Sequence, residues 1–339
     1  MKQQFSFKYF KFLFFFLLLL FYDCTDKQGI IKAKTPYLKR EIELKLVDEI
    51  FIHKGYVYSI DNTGNLIVSG GIDNLVYVWD IERKKIIKRL SFNYKGKWGI
   101  PVDLSEDGDY LIAGAFEELV LFSVKDDFRE LRRVRANERG IQSLMFSPDL
   151  TFVVSAGVDG KIKLWKFPEL SLIKEVKEHQ KEVWNISISK SGKYLLSGGE
   201  DGILNLFSFP QMNLIKKIKL GVPVEYVFFS EDEKYFLSAD ADGVVRIWKI
   251  SNCEEYRVFR YHLGSALVGR FLTGSVVATG GKDECLYIFD FESGEILKKF
   301  SFNSSVFSIY FSNKNKWLFV GLENGKILIY NYSEIFSKI

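Results

Sequence analysis

Three histidines are the residues of this chain best suited to acid–base or metal chemistry. Each precedes an aspartate by 20 to 22 residues, and the pairs are His53–Asp73, His179–Asp201 and His262–Asp283. An imidazole beside a carboxylate can act as a general base or hold a metal ion. The constant spacing indicates instead that the pairs occupy one slot of a repeated unit, so they stay apart. We expect a structural role for them, with no catalytic residue, no metal site and no cofactor.

No competing catalytic pattern is present elsewhere in the sequence. It contains no phosphate-binding P-loop, no Gly-x-Ser-x-Gly turn and no paired cysteines at metal-binding spacing. Cys253 lies in a predicted turn and Cys285 in a predicted strand. The sequence allows two free thiols or, in an exported protein, a disulfide, because it gives no geometry for the pair.

The elements that position the histidines belong to a short pattern that recurs seven times. It consists of a small pair, an acidic residue or Asn, and an aromatic residue six positions later, as in Ser69 through Asp73 to Trp79. The terminal aromatic residues are Trp79, Phe122, Trp165, Phe207, Trp248, Phe289 and Tyr330, at intervals of 41 to 43 residues. A fixed period of this length is the signature of a repeat architecture.

Each repeat has the pattern of β-strands. Leu75, Tyr77 and Trp79 alternate on one face, as residues of a half-buried strand do. Asp-Gly pairs at 159–160, 201–202 and 242–243, and Asn-Gly at 324–325, lie between two such runs and favour tight hairpins. The spacing predicts four short strands per repeat.

The repeats resemble those of the WD-repeat family. The tract from Glu178 to Trp184, followed by residues 197–202, is a close match to that family's repeat, and the resemblance extends over residues 41–339. It implies an all-β fold, a seven-bladed β-propeller of four-stranded antiparallel blades. Closing the ring lets each blade bury both faces against its neighbours. We expect the alternating strand at 41–47 to complete the last blade and close the ring.

The resemblance also implies a hydrogen-bonded set of Asp, His, Ser or Thr, and Trp in each blade. The first blade has the complete set, His53, Ser69, Asp73 and Trp79. Two further sets have Phe207 and Phe289 in place of Trp: His179, Ser197 and Asp201, and His262, Thr279 and Asp283. Such sets fix tight turns rather than perform chemistry.

The N-terminal segment has the pattern of a targeting sequence. Lys2, Lys8 and Lys11 precede an apolar run from residue 12 to 22, which suits a secretory signal better than a membrane span. Cys24 follows, as at the acylation site of bacterial lipoproteins, although Asp23 is unusual there. An uncleaved anchor over residues 5–22 is the second interpretation. We predict a signal or anchor at 1–24, a tether at 25–36 and the propeller at 37–339.

Charge is concentrated in the same segment. Residues 1–36 hold six of the 47 basic and two of the 43 acidic residues, which leaves 41 of each for the rest. A balanced body gives no reason to expect a nucleic-acid partner. From the N-terminal segment we expect export to an extracytoplasmic location, with membrane association only through the N-terminus, and we expect the propeller to be monomeric. The alternative is a cytoplasmic protein.

The residue after the first apolar position of each repeat is expected at the narrow face of the ring. The partner-binding residues predicted there are Tyr58, Trp184, Glu225 and Phe307, and the same slot gives Gln142, Ile100 and Leu267. Glu200, Lys282 and Glu323, each directly before the acidic or Asn residue of its repeat, add charge. Aromatic residues with a few charges are common interface anchors. The alternative is that Trp184 and Phe307 belong to the core between blades.

The sequence thus favours a non-enzymatic scaffold that presents its ring faces to a protein or peptide partner. One alternative is an enzyme with a site in the central channel, which would need convergent acids or a metal. The other is a cytosolic assembly factor, for which the hydrophobic start would have to be inert.

Overall fold

A computed structural model describes the backbone of residues 38–93 and 98–338, and the side chains of 41–93 and 98–334. The signal or anchor, the tether and Cys24 lie outside the described residues. Residues 41–335 form one compact unit. Within the described ranges no helix has the length and hydropathy to cross a membrane.

The described residues form 28 strands in seven sheets of four. Blade 1 contains β2 (Val57–Thr63), β3 (Leu66–Gly71), β4 (Leu75–Asp80) and β5 (Lys85–Ser91). Blade 2 contains β6 (Val102–Leu104), β7 (Tyr110–Ala115), β8 (Glu118–Ser123) and β9 (Arg129–Arg135). Blade 3 contains β10 (Ile141–Phe146), β11 (Phe152–Gly157), β12 (Ile162–Lys166) and β13 (Ser171–Val176). Blade 4 contains β14 (Val183–Ile188), β15 (Tyr194–Gly199), β16 (Ile203–Ser208) and β17 (Asn213–Lys219).

The remaining blades follow the same plan. Blade 5 contains β18 (Val224–Phe229), β19 (Tyr235–Asp240), β20 (Val245–Lys249) and β21 (Glu255–Phe259). Blade 6 contains β22 (Ala266–Phe271), β23 (Val276–Gly281), β24 (Cys285–Asp290) and β25 (Ile296–Ser301). Blade 7 contains β26 (Val306–Ser312), β27 (Trp317–Leu322) and β28 (Lys326–Lys338), with β1 (Leu38–Phe51) as its fourth strand. This order confirms the predicted seven-bladed propeller and its closure by the N-terminal strand.

The core lies between blades rather than within any one of them. One buried cluster joins Val57 and Ile67 of blade 1 to Phe319, Ile327 and Ile329 of blade 7. Small residues in the second strand of each blade allow this approach: a Cβ added to Gly198 would lie 2.6 Å from a Val224 side-chain carbon of the next blade. The small pairs that define the repeat are therefore packing positions, not ligand loops.

Hydrogen bonds between innermost strands also join the blades. In each one a side chain accepts from a backbone N–H of the following blade, about 43 residues later. The acceptor–donor pairs are Ser59–Val102, Asp61–Leu104, Asp103–Phe146, Ser143–Ile186, Asn185–Val227 and Ser187–Phe229, at 2.6 to 3.4 Å. These bonds fix the relative positions of blades 1 to 5 around the axis.

Two rings of β-bulges interrupt the otherwise regular pairing. A bulge inserts one unpaired residue and re-aims its side chain. The inner ring consists of Tyr58, Gln142, Trp184, Glu225, Leu267 and Phe307, each skipped between two paired residues of the innermost strand. The outer ring consists of Ile87, Leu131, Ile173, Ile215, Tyr256 and Leu297 in the outermost strands.

Candidate functional site

The three histidines lie in three different blades, each buried within its own hydrogen-bonded set. His53 Nδ1 is 2.9 Å from Asp73 Oδ1, and its Nε2 is 2.8 Å from Ser69 Oγ. The corresponding distances are 3.0 and 2.8 Å for His179 with Asp201 and Ser197, and 2.8 and 2.9 Å for His262 with Asp283 and Thr279. Each aspartate also accepts a backbone N–H, so each set closes a turn.

Trp79 does not belong to the first set, and the sequence-based prediction of a complete set there is wrong. Its indole nitrogen is buried without a hydrogen-bond partner among the described residues. The ring packs as an apolar group in the cluster between blades 7 and 1, which leaves its N–H without an acceptor. Phe207 and Phe289 are fully buried, as a purely apolar role requires.

A complete set is present in blade 3, where the sequence analysis did not find one. Ser155 Oγ donates to Asn137 Oδ1 at 2.7 Å and accepts from Trp165 Nε1 at 3.0 Å. Asn137 Nδ2 in turn donates to Asp159 Oδ1 at 3.0 Å. Asn137 precedes Asp159 by 22 residues, the interval of the His179 pair, so the spacing could have identified it if Asn had been allowed in the slot.

Burial and hydrogen bonding act in opposite directions on the ionisable groups of these sets. Burial alone would raise the pKa of Asp73 and of Asp201, but hydrogen bonds from the histidine and from backbone N–H groups lower both values below the usual range. For His262, burial lowers the pKa of the imidazole, and the carboxylate of Asp283 only partly opposes this. Burial thus favours the neutral imidazole of His262, and hydrogen bonds favour the charged carboxylates of Asp73 and Asp201.

A cavity of about 410 Å³ opens where the innermost strands begin, and we call this opening the first mouth. All four predicted partner-binding residues, Tyr58, Trp184, Glu225 and Phe307, line it. Three further residues that the sequence predicts at this face also line the cavity: Gln142, Leu267 and Lys282. The six slot residues are the inner bulge ring, which explains why they project into the channel instead of into the sheets.

Three predicted residues lie elsewhere. Ile100 is fully buried, and Pro101 lines the cavity in its place, because the short strand β6 has no bulge to turn Ile100 inward. Glu200 pairs with Lys181 at 3.1 Å, and Glu323 accepts from the Ser305 hydroxyl at 2.6 Å. Neither glutamate lines the cavity.

A chain of hydrogen bonds crosses one side of the first mouth. The Tyr58 hydroxyl in blade 1 donates to Gln142 Oε1 in blade 3 at 2.7 Å, passing over blade 2. Gln142 Nε2 and Trp184 Nε1 both donate to Glu182 Oε2, at 3.2 and 3.3 Å. The chain fixes the Trp184 ring in one orientation. Phe307 is held separately, by stacking on Tyr56 at 4.6 Å between ring centroids.

Glu225 supplies the titratable group on the other side of the mouth. Burial raises the pKa of its carboxyl to about 7, although Lys282 and Ser265 act in the opposite direction. Its charge therefore changes near neutral pH. The first mouth combines rigid aromatic surfaces with one carboxyl group of adjustable charge.

Deeper in the channel the structure brings together two acids that the sequence analysis did not connect. Asp61 and Asp103 line both this cavity and a second one of about 430 Å³ at the opposite end, the second mouth. Burial raises the pKa of both carboxyls, and the nearby charge of Asp61 raises that of Asp103 further. The guanidinium of Arg270 lies 4.2 Å from the ring centroid of Phe228 and partly offsets these effects.

The two acids are positioned as braces between blades. Each accepts a backbone N–H of the following blade, Asp61 from Leu104 at 2.6 Å and Asp103 from Phe146 at 2.7 Å. Serine and asparagine side chains do the same elsewhere in the ring, so this role does not need an acid. Cys253 and Cys285 are free thiols.

Comparison with known proteins identifies the same repeat. The model of the WD domain, G-beta repeat, matches residues 44–80, 128–166, 170–208 and 221–249. Protein groucho of Drosophila melanogaster is 30% identical over 106 residues, which is 31% of this chain and 14% of groucho. The matched region therefore spans about one seventh of that relative's length. Each match covers the three inner strands of one blade, in blades 1, 3, 4 and 5, and three of the matches begin in or directly before the outermost strand of the preceding blade. The three other blades are evident from the sheets.

Proposed function

Since this chain is a member of the WD-repeat family and folds as a β-propeller, a class that typically provides protein-interaction scaffolds, we propose that it is a non-enzymatic scaffold binding a protein or peptide at the first mouth. The observation that carries the proposal is the inner bulge ring. Six bulges turn Tyr58, Gln142, Trp184, Glu225, Leu267 and Phe307 into one cavity instead of into the core.

The composition of the mouth supports a protein partner. Aromatic side chains are the commonest energetic anchors of protein interfaces, especially where they are held in place. Trp184 is fixed by its bond to Glu182, and Phe307 by stacking on Tyr56. A partner therefore loses little free energy to ordering this surface. No cofactor is needed for such binding.

Variants of the two mouths test this proposal. The full chain would be used to isolate partners, and each purified partner would then be titrated against the wild type, Trp184→Ala and Asn313→Ala. Asn313 lines the second mouth and is the control. We expect Trp184→Ala to weaken binding by at least about tenfold, as for an aromatic anchor. Equal affinity of all three proteins for every partner would overturn the assignment of the site.

We further propose that the propeller acts as a monomer outside the cytoplasmic membrane and is held there by residues 1–24. The support is the lysine-flanked apolar run followed by Cys24. Cell fractionation with mass spectrometry of the mature N-terminus tests this. A lipid-modified Cys24 or an intact N-terminus in the membrane fraction supports anchoring, whereas an intact chain in the cytosol contradicts export.

A further inference from the structure

Two neighbouring blades expose apolar residues on the outer edge of the ring. In blades 1, 2, 5 and 6 the outer bulge residue packs against a buried cluster; these residues are Ile87, Leu131, Tyr256 and Leu297. In blades 3 and 4 the equivalent Ile173 and Ile215 are 50% and 51% exposed. The preceding Leu172 and Leu214 are 51% and 41% exposed. We call these four side chains the rim patch.

The two halves of the rim patch lie on connected edges. Lys174, at the end of the first half, donates through Nζ to the backbone carbonyl of Gln211 in the next blade at 2.6 Å. The same Nζ lies 3.5 Å from Asn213 Oδ1, next to Leu214. The patch is thus one surface across blades 3 and 4.

Lysines surround the rim patch. Residues 171–177 and 211–219 together contain five lysines and one glutamate, within a body whose charges balance. Lys177, Lys216 and Lys219 are exposed, and none is within ion-pair distance of a described carboxylate. Lysines on an edge strand can simply prevent aggregation. That purpose does not account for four exposed aliphatic side chains beside them.

The residue types distinguish between possible occupants. Protein interfaces are enriched in aromatic residues and Arg and depleted in Lys, and single-stranded nucleic acids are bound by aromatic stacking. The rim patch has neither an aromatic residue nor an Arg. Aliphatic side chains flanked by lysines are instead typical of surfaces that lie at the headgroup level of anionic membranes. We propose that the rim patch docks the propeller on an anionic lipid surface.

A fluorescent probe reports contact with lipid even in a chain whose N-terminus is already in the membrane. The full chain, with Cys24, Cys253 and Cys285 replaced by Ser, would carry one probe at Ile215→Cys. A second protein with the probe at Leu263→Cys serves as the control, because Leu263 is 91% exposed and lies between β21 and β22. Nitroxide-labelled phosphatidylcholine vesicles, with and without phosphatidylglycerol, act as the quencher.

We expect quenching at position 215 to exceed that at 263 only when phosphatidylglycerol is present. Quenching at position 215 should fall to the level seen at position 263 in the triple variant Lys177→Glu, Lys216→Glu and Lys219→Glu. A control triple with the same change of charge elsewhere on the rim, Lys85→Glu, Arg89→Glu and Lys298→Glu, should leave it unchanged. Equal quenching at both positions overturns the proposal. A probe at 215 whose fluorescence changes on addition of polyglutamate or single-stranded DNA, but is not quenched by vesicles containing phosphatidylglycerol, overturns it as well.

Discussion

The hydroxyl of Tyr58 in blade 1 donates to the side chain of Gln142 in blade 3, at 2.7 Å, although 84 residues separate them. The bond passes over blade 2, so it joins blades that are not neighbours in the ring. The same hydroxyl is 2.8 Å from the backbone carbonyl of Gln142. The bond therefore stabilises the first mouth and also holds in place two residues of its proposed binding surface.

Removing this hydroxyl should destabilise the ring modestly. Tyr58→Phe keeps the aromatic ring but leaves the side-chain oxygen of the buried Gln142 without its donor, so the free energy of unfolding should fall by about 1 kcal/mol. Urea denaturation measures the change. Tyr194→Phe is the control, because the Tyr194 hydroxyl makes no hydrogen bond to a described residue. Equal losses in the two variants would contradict a special role for the bond.

The two tryptophans at equivalent positions of blades 1 and 3 should respond differently to replacement by Phe. Trp165→Phe removes a buried hydrogen bond to Ser155 and should cost about 1 kcal/mol more than Trp79→Phe, whose indole N–H has no partner to lose. Both changes remove the same atoms, so the difference between the two losses of unfolding free energy, measured by urea denaturation, gives the contribution of the hydrogen bond. A larger loss at Trp79 would show that its N–H is satisfied in solution.

The slot that holds His179 should accept asparagine better than alanine. Asn137 bonds to Ser155 and Asp159 from the same slot of blade 3, so His179→Asn can keep partners for Ser197 and Asp201. His179→Ala leaves the buried Ser197 hydroxyl without its partner and removes one hydrogen bond of Asp201, at a cost of about 1–3 kcal/mol. We expect the unfolding free energy to rank wild type, Asn, then Ala. Equal stability of the Asn and Ala variants would argue against the hydrogen-bonded role.

His262 should make the propeller less stable as the solution becomes mildly acidic. Burial lowers the pKa of His262 in the folded state, so the unfolded chain takes up its proton first as pH falls below about 6.5. The stability contributed by the neutral imidazole is present above that pH and is lost below it. The difference in unfolding free energy between the wild type and His262→Asn should therefore shift against the wild type as the pH falls from about 7 to 5. Parallel pH profiles for variant and wild type would contradict this.

Glu225 should have the opposite pH dependence. Its pKa rises to about 7 in the folded protein, from a usual value of 4.5, so the folded state holds the proton more tightly than the unfolded state. The associated stability is complete below about pH 4.5 and is lost as pH rises through 7. Glu225→Gln should thus stabilise the protein by up to about 3 kcal/mol at pH 8 relative to its effect at pH 4.5. A pH-independent difference from the wild type would refute the raised pKa.

Local spacing in the sequence was enough to determine the fold. The interval of 41 to 43 residues between terminal aromatics predicts the repeat, and the alternation within each repeat predicts its strands. The His–Asp intervals predict the pairs at His53, His179 and His262, because both partners of each pair belong to one repeat. The bulge position could also be anticipated, since it follows the first apolar residue of a strand.

Contacts between repeats were decided only by the closed ring. Asp61, Asp103 and Arg270 come from blades 1, 2 and 6, and only closure places them around one channel. No spacing indicates that Tyr58 reaches Gln142, or that Trp79 packs without an acceptor. Nor does any pattern show that Ile173 and Ile215 are half exposed while their equivalents in other blades are partly buried. The repeated pattern determines the strands and hydrogen bonds within a blade. Side-chain packing across the axis and between blade edges depends on all seven blades together.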